Sequence, residues 1–158
     1  MTLMKTSLVM ILFSVYVALF AATSQFPDIE GIDVRQKMTT DQIIEKLGKP
    51  TIYRTSTFDD GTPLETFYYN RTFVRFTDGY LSEFIIVDKR FKVLTNVISG
   101  GVSVGDSFTK ISFLKPEVAT WLSCDNDIYY IPMVNGEINV FFKIDNGIIT
   151  NIHFSSPV

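Results

Sequence analysis

The chain has 158 residues, 14 Lys and Arg against 17 Asp and Glu, and a single His and a single Cys, with 46% of its residues hydrophobic and 14% aromatic. That length fits one domain or two small ones, and the apolar content is too high for a disordered tail. The mildly acidic balance without a basic block argues against a nucleic-acid binder, one Cys excludes an internal disulfide framework or Cys-based zinc, and one His excludes a multi-His metal centre.

Residues 1–24 have the three-part form of a secretory signal. Lys5 supplies the positive end, Ser7 to Phe20 is almost wholly apolar, and Ala21-Ala22-Thr23-Ser24 supplies small residues. The expected cut after Ser24 leaves Gln25 first. The remaining 134 residues hold all 17 acids and 13 of the 14 bases, for a formal charge of −4. The apolar run is shorter than the roughly 20 residues of a spanning helix. The expectation is a periplasmic or secreted protein that meets the membrane only through its signal.

An internal repeat organises the rest. Thr77-Asp78-Gly79-Tyr80-Leu81 aligns with Asp145-Asn146-Gly147-Ile148-Ile149 at a shift of 68, and Met38-Thr39 with Phe108-Thr109 at a shift of 70. The first copy (25–96) opens with a helix, Thr40 to Leu47. Thr39 as N-cap and Gln42 three residues later form a capping box, Met38 and Ile43 a hydrophobic staple, and Gly48 and Pro50 a stop. Alternating strands follow at Ile52–Phe58, Leu64–Asn70, Thr72–Thr77 and Leu81–Asp88, split by turns at Asp59-Asp60-Gly61, Asn70-Arg71 and Asp78-Gly79. Short connections make antiparallel neighbours.

Gly100-Gly101 reads as the hinge into the second copy (97–158). There a helix near Lys110–Leu114, capped by Thr109 and stapled by Phe108 and Phe113, precedes strands at Val118–Leu122, Ile128–Met133, Ile138–Ile144 and Ile148–Phe154. The fold class read from this pattern is α+β: two degenerate repeats, each a short helix or helical pair packed on an antiparallel sheet of 3–4 strands.

The capped helix ending Leu47-Gly48-Lys49-Pro50, the Phe67-Tyr68-Tyr69 strand and Phe76-Thr77-Asp78-Gly79-Tyr80-Leu81 resemble the small periplasmic module shared by the outer-membrane-assembly lipoprotein SmpA/OmlA and the β-lactamase inhibitor proteins. Gly101-Val102-Ser103-Val104-Gly105-Asp106-Ser107-Phe108 resembles the opening of the same module in small secreted proteins of Bacteroides-type bacteria. The sequence departs from the pattern at Lys37, where a Gly often stands, and in lacking the lipid-attachment Cys. The resemblance implies a protein-binding module without enzymatic activity.

Catalytic patterns are weak. His153 would be the only base, and no G-x-S-x-G turn presents a serine. Asp59/Asp60 and Asp125/Asp127 lie in turn-rich stretches, where Asp caps the local backbone. Asp125-Asn126-Asp127 lacks the glycine and terminal Glu of a calcium loop. A hydrolase using Asp125 or Asp127 with His153 is thus the least favoured reading, and no catalytic residue, cofactor or metal is expected. Cys124 reads as a packed thiol.

Alternation separates the two faces of the strands. Val74, Phe76, Phe84, Ile86, Phe142, Ile144, Ile152 and Phe154 should face the core. The other face then carries Phe73, Arg75, Glu83 and Ile85 in one copy, and Phe141, Lys143, Asn151 and His153 in the other. From these, Phe73, Arg75, Ile85, Phe141, Lys143 and His153 form the candidate binding patch, aromatic groups rimmed by charge, fit for a protein partner in the cell envelope. Trp121, Tyr129 and Tyr130 are candidates to extend it. The alternative is a carrier holding a small apolar or glycan ligand in a cleft between the repeats.

Overall fold

The computed structural model describes residues 27–95, 97–114, 128–133 and 138–156. Residues 1–24, read from the sequence as a signal, the expected Val118–Leu122 strand, Trp121, Cys124, Asp125, Asp127 and Asn135-Gly136 lie outside the described residues.

Helix α1 (Thr40–Leu47) forms where its caps specify it. The Thr39 hydroxyl accepts from Gln42 N–H, and the Gln42 side chain accepts from Thr39 N–H at 2.9 Å. Ile43 and Leu47 are buried on its inner face. Gly48, at φ +80°, ends it and donates to the Ile44 carbonyl.

After α1 the chain becomes β. Strands β3 (Ile52–Thr57), β4 (Pro63–Tyr69), β5 (Thr72–Thr77), β6 (Tyr80–Ile86), β9 (Ile128–Met133), β10 (Ile138–Asp145) and β11 (Ile148–Ser155) form one antiparallel sheet in the order β3-β4-β5-β6-β11-β10-β9. A smaller antiparallel sheet, β2-β1-β7-β8, joins β1 (Asp28–Ile29), β2 (Ile32–Asp33), β7 (Lys92–Leu94) and β8 (Val102–Ser103). Strands of two or three residues are too short to show a periodicity in sequence.

The expected α+β class with two helix-on-sheet repeats is therefore corrected. The protein is mostly β, α1 is the one α-helix among the described residues, and the two expected sheets are a single seven-stranded sheet. In place of the Lys110–Leu114 helix stands one 3-10 turn, Phe108–Lys110, whose cap is Ser107 rather than Thr109. Five residues before Pro116 are too few to offset helix nucleation. The Ser107 hydroxyl accepts locally from Thr109 N–H instead, and Phe113, the expected staple, is 60% exposed. Gly100-Gly101 is a tight connection into β8: a Cβ on Gly101 would sit 2.8 Å from the Val93 carbonyl oxygen.

The core lies on one face of the large sheet. Phe67, Tyr69, Val74, Phe76, Phe84, Ile86, Val140, Phe142, Ile152 and Phe154 form one buried cluster with Ile43 and Leu47 of α1 and Ile29, Ile32, Val93 and Val102 of the small sheet. Tyr69 packs edge-on against Phe91 at 5.0 Å, and Phe108 lies against Tyr129 at 4.7 Å. Burying the rings between these layers supplies the main drive to fold, because each fully buried apolar side chain contributes about 1.5–3 kcal/mol.

The two halves of the large sheet match in register at the shift of 68. Asp78-Gly79 and Asn146-Gly147 turn the β5–β6 and β10–β11 hairpins, all four residues at positive φ. Each hairpin has an irregularity at the same place, between Arg75 and Phe76 and between Lys143 and Ile144. Met38 N–H donates to the Gly79 carbonyl and Phe108 N–H to the Gly147 carbonyl, at 2.8 and 2.9 Å. At the β6–β11 seam Ile85 stands opposite His153, its own counterpart 68 positions on, so the seam has local two-fold symmetry.

Candidate functional site

Among the described residues, α1, the 3-10 turn and the small sheet all cluster with one face of the large sheet. Its opposite face is laid out by register. Phe73 of β5 stands opposite Ile85 of β6, Ile85 opposite His153 of β11, and His153 opposite Phe141 of β10. Tyr68 of β4 continues the line beside Phe73, Ile52 of β3 follows Tyr68, and the backbone of Tyr130 in β9 pairs with Phe141 at the far end. One residue from each of the seven strands thus stands in a single row. Phe73, Ile85, His153 and Phe141 are half-buried by their own neighbours, and Ile52 is 48% exposed.

Ring geometry ties the row together. Tyr68 and Phe73 have centroids 6.0 Å apart, as do Phe141 and His153. Both are within the range for tilted aromatic pairs. Cations lie over the first pair, with the Arg54 guanidinium 5.6 Å from the Tyr68 centroid and Arg75 5.3 Å from Phe73.

A polar row runs alongside: Arg54, Thr66, Arg75, Glu83, Ser155 and Asn139 are successive cross-strand partners. Arg75 donates to Glu83 Oε2 and, at 3.4 Å, to the buried Thr66 hydroxyl. The other carboxylate oxygen, Glu83 Oε1, lies 3.6 Å from His153 Nε2. That is beyond a good hydrogen bond, and Nε2 is buried without an acceptor among the described residues. Burial therefore decides the titration: desolvation lowers the His153 pKa below its usual value, and the Glu83 charge only partly opposes it. His153 is neutral at neutral pH and acts as a flat, largely apolar member of the row.

All six sequence-derived residues lie on this face. Phe73, Ile85, His153 and Phe141 fall in the row itself, Arg75 in the flanking polar row, and Lys143 further along β10 opposite Asn151. Tyr68 and Ile52 were missed, as was the coupling of Glu83 to both Arg75 and His153. The signal for Tyr68 was available: a two-residue Asn70-Arg71 turn pairs Tyr69 with Thr72 and hence Tyr68 with Phe73. Tyr129, left undecided in orientation, is buried on the core side; the side chain of Tyr130 lies outside what is described.

Hydrogen bonding across β6–β11 is direct, so among the described residues the strands themselves do not part at the junction of the two halves. A shallow pocket of about 340 Å³, lined by Thr55, Ser56, Thr57, Pro63, Leu64 and Glu65, lies at the β3–β4 hairpin. Among the described residues no three His, Cys, Asp or Glu side chains converge as metal ligands, and no helix is long and apolar enough to cross a membrane. No protein-family model matches the chain, and neither a curated protein nor a solved structure does.

Proposed function

We propose that this chain is a secreted, non-enzymatic binding module that engages a protein of the cell envelope or extracellular space through the open face of its large sheet. The observation that carries the reading is the half-buried row Tyr68, Phe73, Ile85, His153 and Phe141 on five adjacent strands, turned away from the core. Interface centres are enriched in aromatic side chains of this kind with charge at the rim. Arg54 and Lys143 border the row, which favours a partner carrying an apolar patch edged by carboxylates. The signal-like segment and the resemblance to the periplasmic lipoprotein and inhibitor module support the location and the class.

The test is capture of the partner from an envelope extract, followed by affinity measurement against Phe73→Ala and Phe141→Ala. Each substitution is expected to cost more than about 1 kcal/mol of binding, a loss of more than roughly fivefold, while both variants keep their strand signal in circular dichroism. Unchanged affinity in both would remove the proposal.

A further inference from the structure

The two outer edges of the seven-stranded sheet are not alike. In β9 the residue opposite Asn139 is Pro132, which has no N–H to offer a further strand. At the other edge β3 reads Ile-Tyr-Arg-Thr-Ser-Thr, holds one charge and no proline, and is exposed along its whole length. Among the described residues no strand pairs with its outer side. Natural sheets rarely leave a long edge of this kind bare, since its free N–H and C=O groups template another strand.

The hydrogen-bonding parity of β3 follows from its partner. Phe58 N–H donates to the Thr62 carbonyl at 2.9 Å, in the same register as Ser56–Leu64 and Arg54–Thr66. Alternate residues therefore turn their backbone groups outward: Tyr53, Thr55 and Thr57.

We infer that β3 is the joint of a two-fold dimer, in which β3 of one copy pairs antiparallel with β3 of a second, Thr55 facing Thr55 across the axis. The sequence selects both the occupant and the register. With Thr55 on the axis, the outward residues pair among themselves, Tyr53 with Thr57 of the second copy and the reverse, giving on the order of six backbone hydrogen bonds. Arg54 then faces Ser56 of the second copy. Ile52, 48% exposed, faces Phe58 of the second copy, 43% exposed, and this apolar pair forms twice. Sliding by two residues, so that Tyr53 faces Thr55, sets Arg54 directly against the other Arg54, which opposes like charges across the ladder. The opposite slide brings Ser56 onto the axis and takes Ile52 and Tyr53 out of the pairing. Because Pro132 blunts the β9 edge, head-to-tail addition is disfavoured and the assembly closes at two copies.

Sedimentation of the purified protein over a wide concentration range is expected to show a monomer–dimer equilibrium. Thr55→Pro removes an outward donor without touching the β3–β4 ladder, and should halve the sedimenting mass while leaving the strand signal in place. In a Cys124→Ser background, Thr55→Cys should form a disulfide-linked dimer on mild oxidation, because directly opposed residues of a hydrogen-bonded pair have Cα atoms about 5.5 Å apart. Ser56→Cys, whose symmetry mate lies diagonally displaced, should not. A monomer at every concentration overturns the inference, as does a dimer that persists in a folded Thr55→Pro variant. Should that variant fail to fold, equal cross-linking through positions 55 and 56, or none at 55, overturns it.

Discussion

Replacing Tyr69 by Phe probes the contact between α1 and the large sheet with one atom. The ring is 1% exposed, lies edge-on to Phe91, and has the Arg90 guanidinium 4.6 Å from its centroid. Its hydroxyl donates to the Gly48 carbonyl at 3.1 Å, where α1 ends. Phe keeps the ring contacts and leaves that carbonyl unpaired, so the variant should be about 1 kcal/mol less stable at pH 7. Alkaline pH reverses the balance. Burial pushes the Tyr69 pKa up to about 12 from the ordinary 10, although Arg90 pulls the other way. The folded state thus holds its proton more tightly than the unfolded chain. Stability from this group is intact below about pH 10 and is lost as pH rises from there through 12. The loss amounts to roughly 1.4 kcal/mol at about pH 11 and 2 kcal/mol at about pH 12. Phe cannot ionise and loses none of it. Urea unfolding of both proteins across this range should give stability curves that cross between about pH 10 and 11. A constant gap from pH 7 to 12 would refute the assignment of a buried, hydrogen-bonded hydroxyl.

Two other perturbations test the site and the turn beneath it. Because the His153 pKa is lowered in the folded state, acidification below about 6.5 protonates the unfolded chain first and costs stability; His153→Gln should flatten this part of the pH profile, measured by urea midpoint, and an identical slope in both proteins would contradict the burial of Nε2. Gly79→Ala places a Cβ 2.8 Å from the Met38 carbonyl oxygen at a φ of +80°, and should lower stability by more than about 1 kcal/mol in thermal unfolding, whereas Gly61→Ala, at φ +85° with open space around it, should cost less.

The legible parts of this protein were those set by local chemistry. The Thr39–Gln42 box, Gly48 and Pro50 bracket α1 at the expected residues, and β5 and β9 run over the expected ranges. Period-two alternation separated core from open face correctly at Val74, Phe84, Phe142 and His153, because a strand's faces are fixed by parity alone. What failed depended on context. The second helix was inferred by analogy with the first, although Gly105-Asp106-Ser107 offers the backbone competing turns: Asp106 accepts from Ser103 N–H and Ser107 from Thr109 N–H. The merger of two sheets into one is invisible locally, since the β6–β11 pairing joins residues from opposite halves of the chain. The same long-range pairing assembled the candidate row, so its members could be named singly before their alignment across strands could be read.

That seam also sets the order of events in folding. Ile86 meets Ile152 only after a stretch of 66 positions has been closed into a loop, whereas the turns of β5–β6 and β10–β11 close over two residues each. Loop closure of that length costs on the order of 4 kcal/mol in chain entropy, and little is returned until Phe84 and Phe154, 5.1 Å apart at the seam, come into register. The hairpins therefore arise early and separately, and the central pairing of the sheet is the slow step. Until it closes, β6 and β11 are both bare edges rich in Phe and Ile. The strands most deeply protected in the finished molecule are thus the ones a newly made chain exposes longest, and the interval before the seam closes is when it is most prone to aggregate.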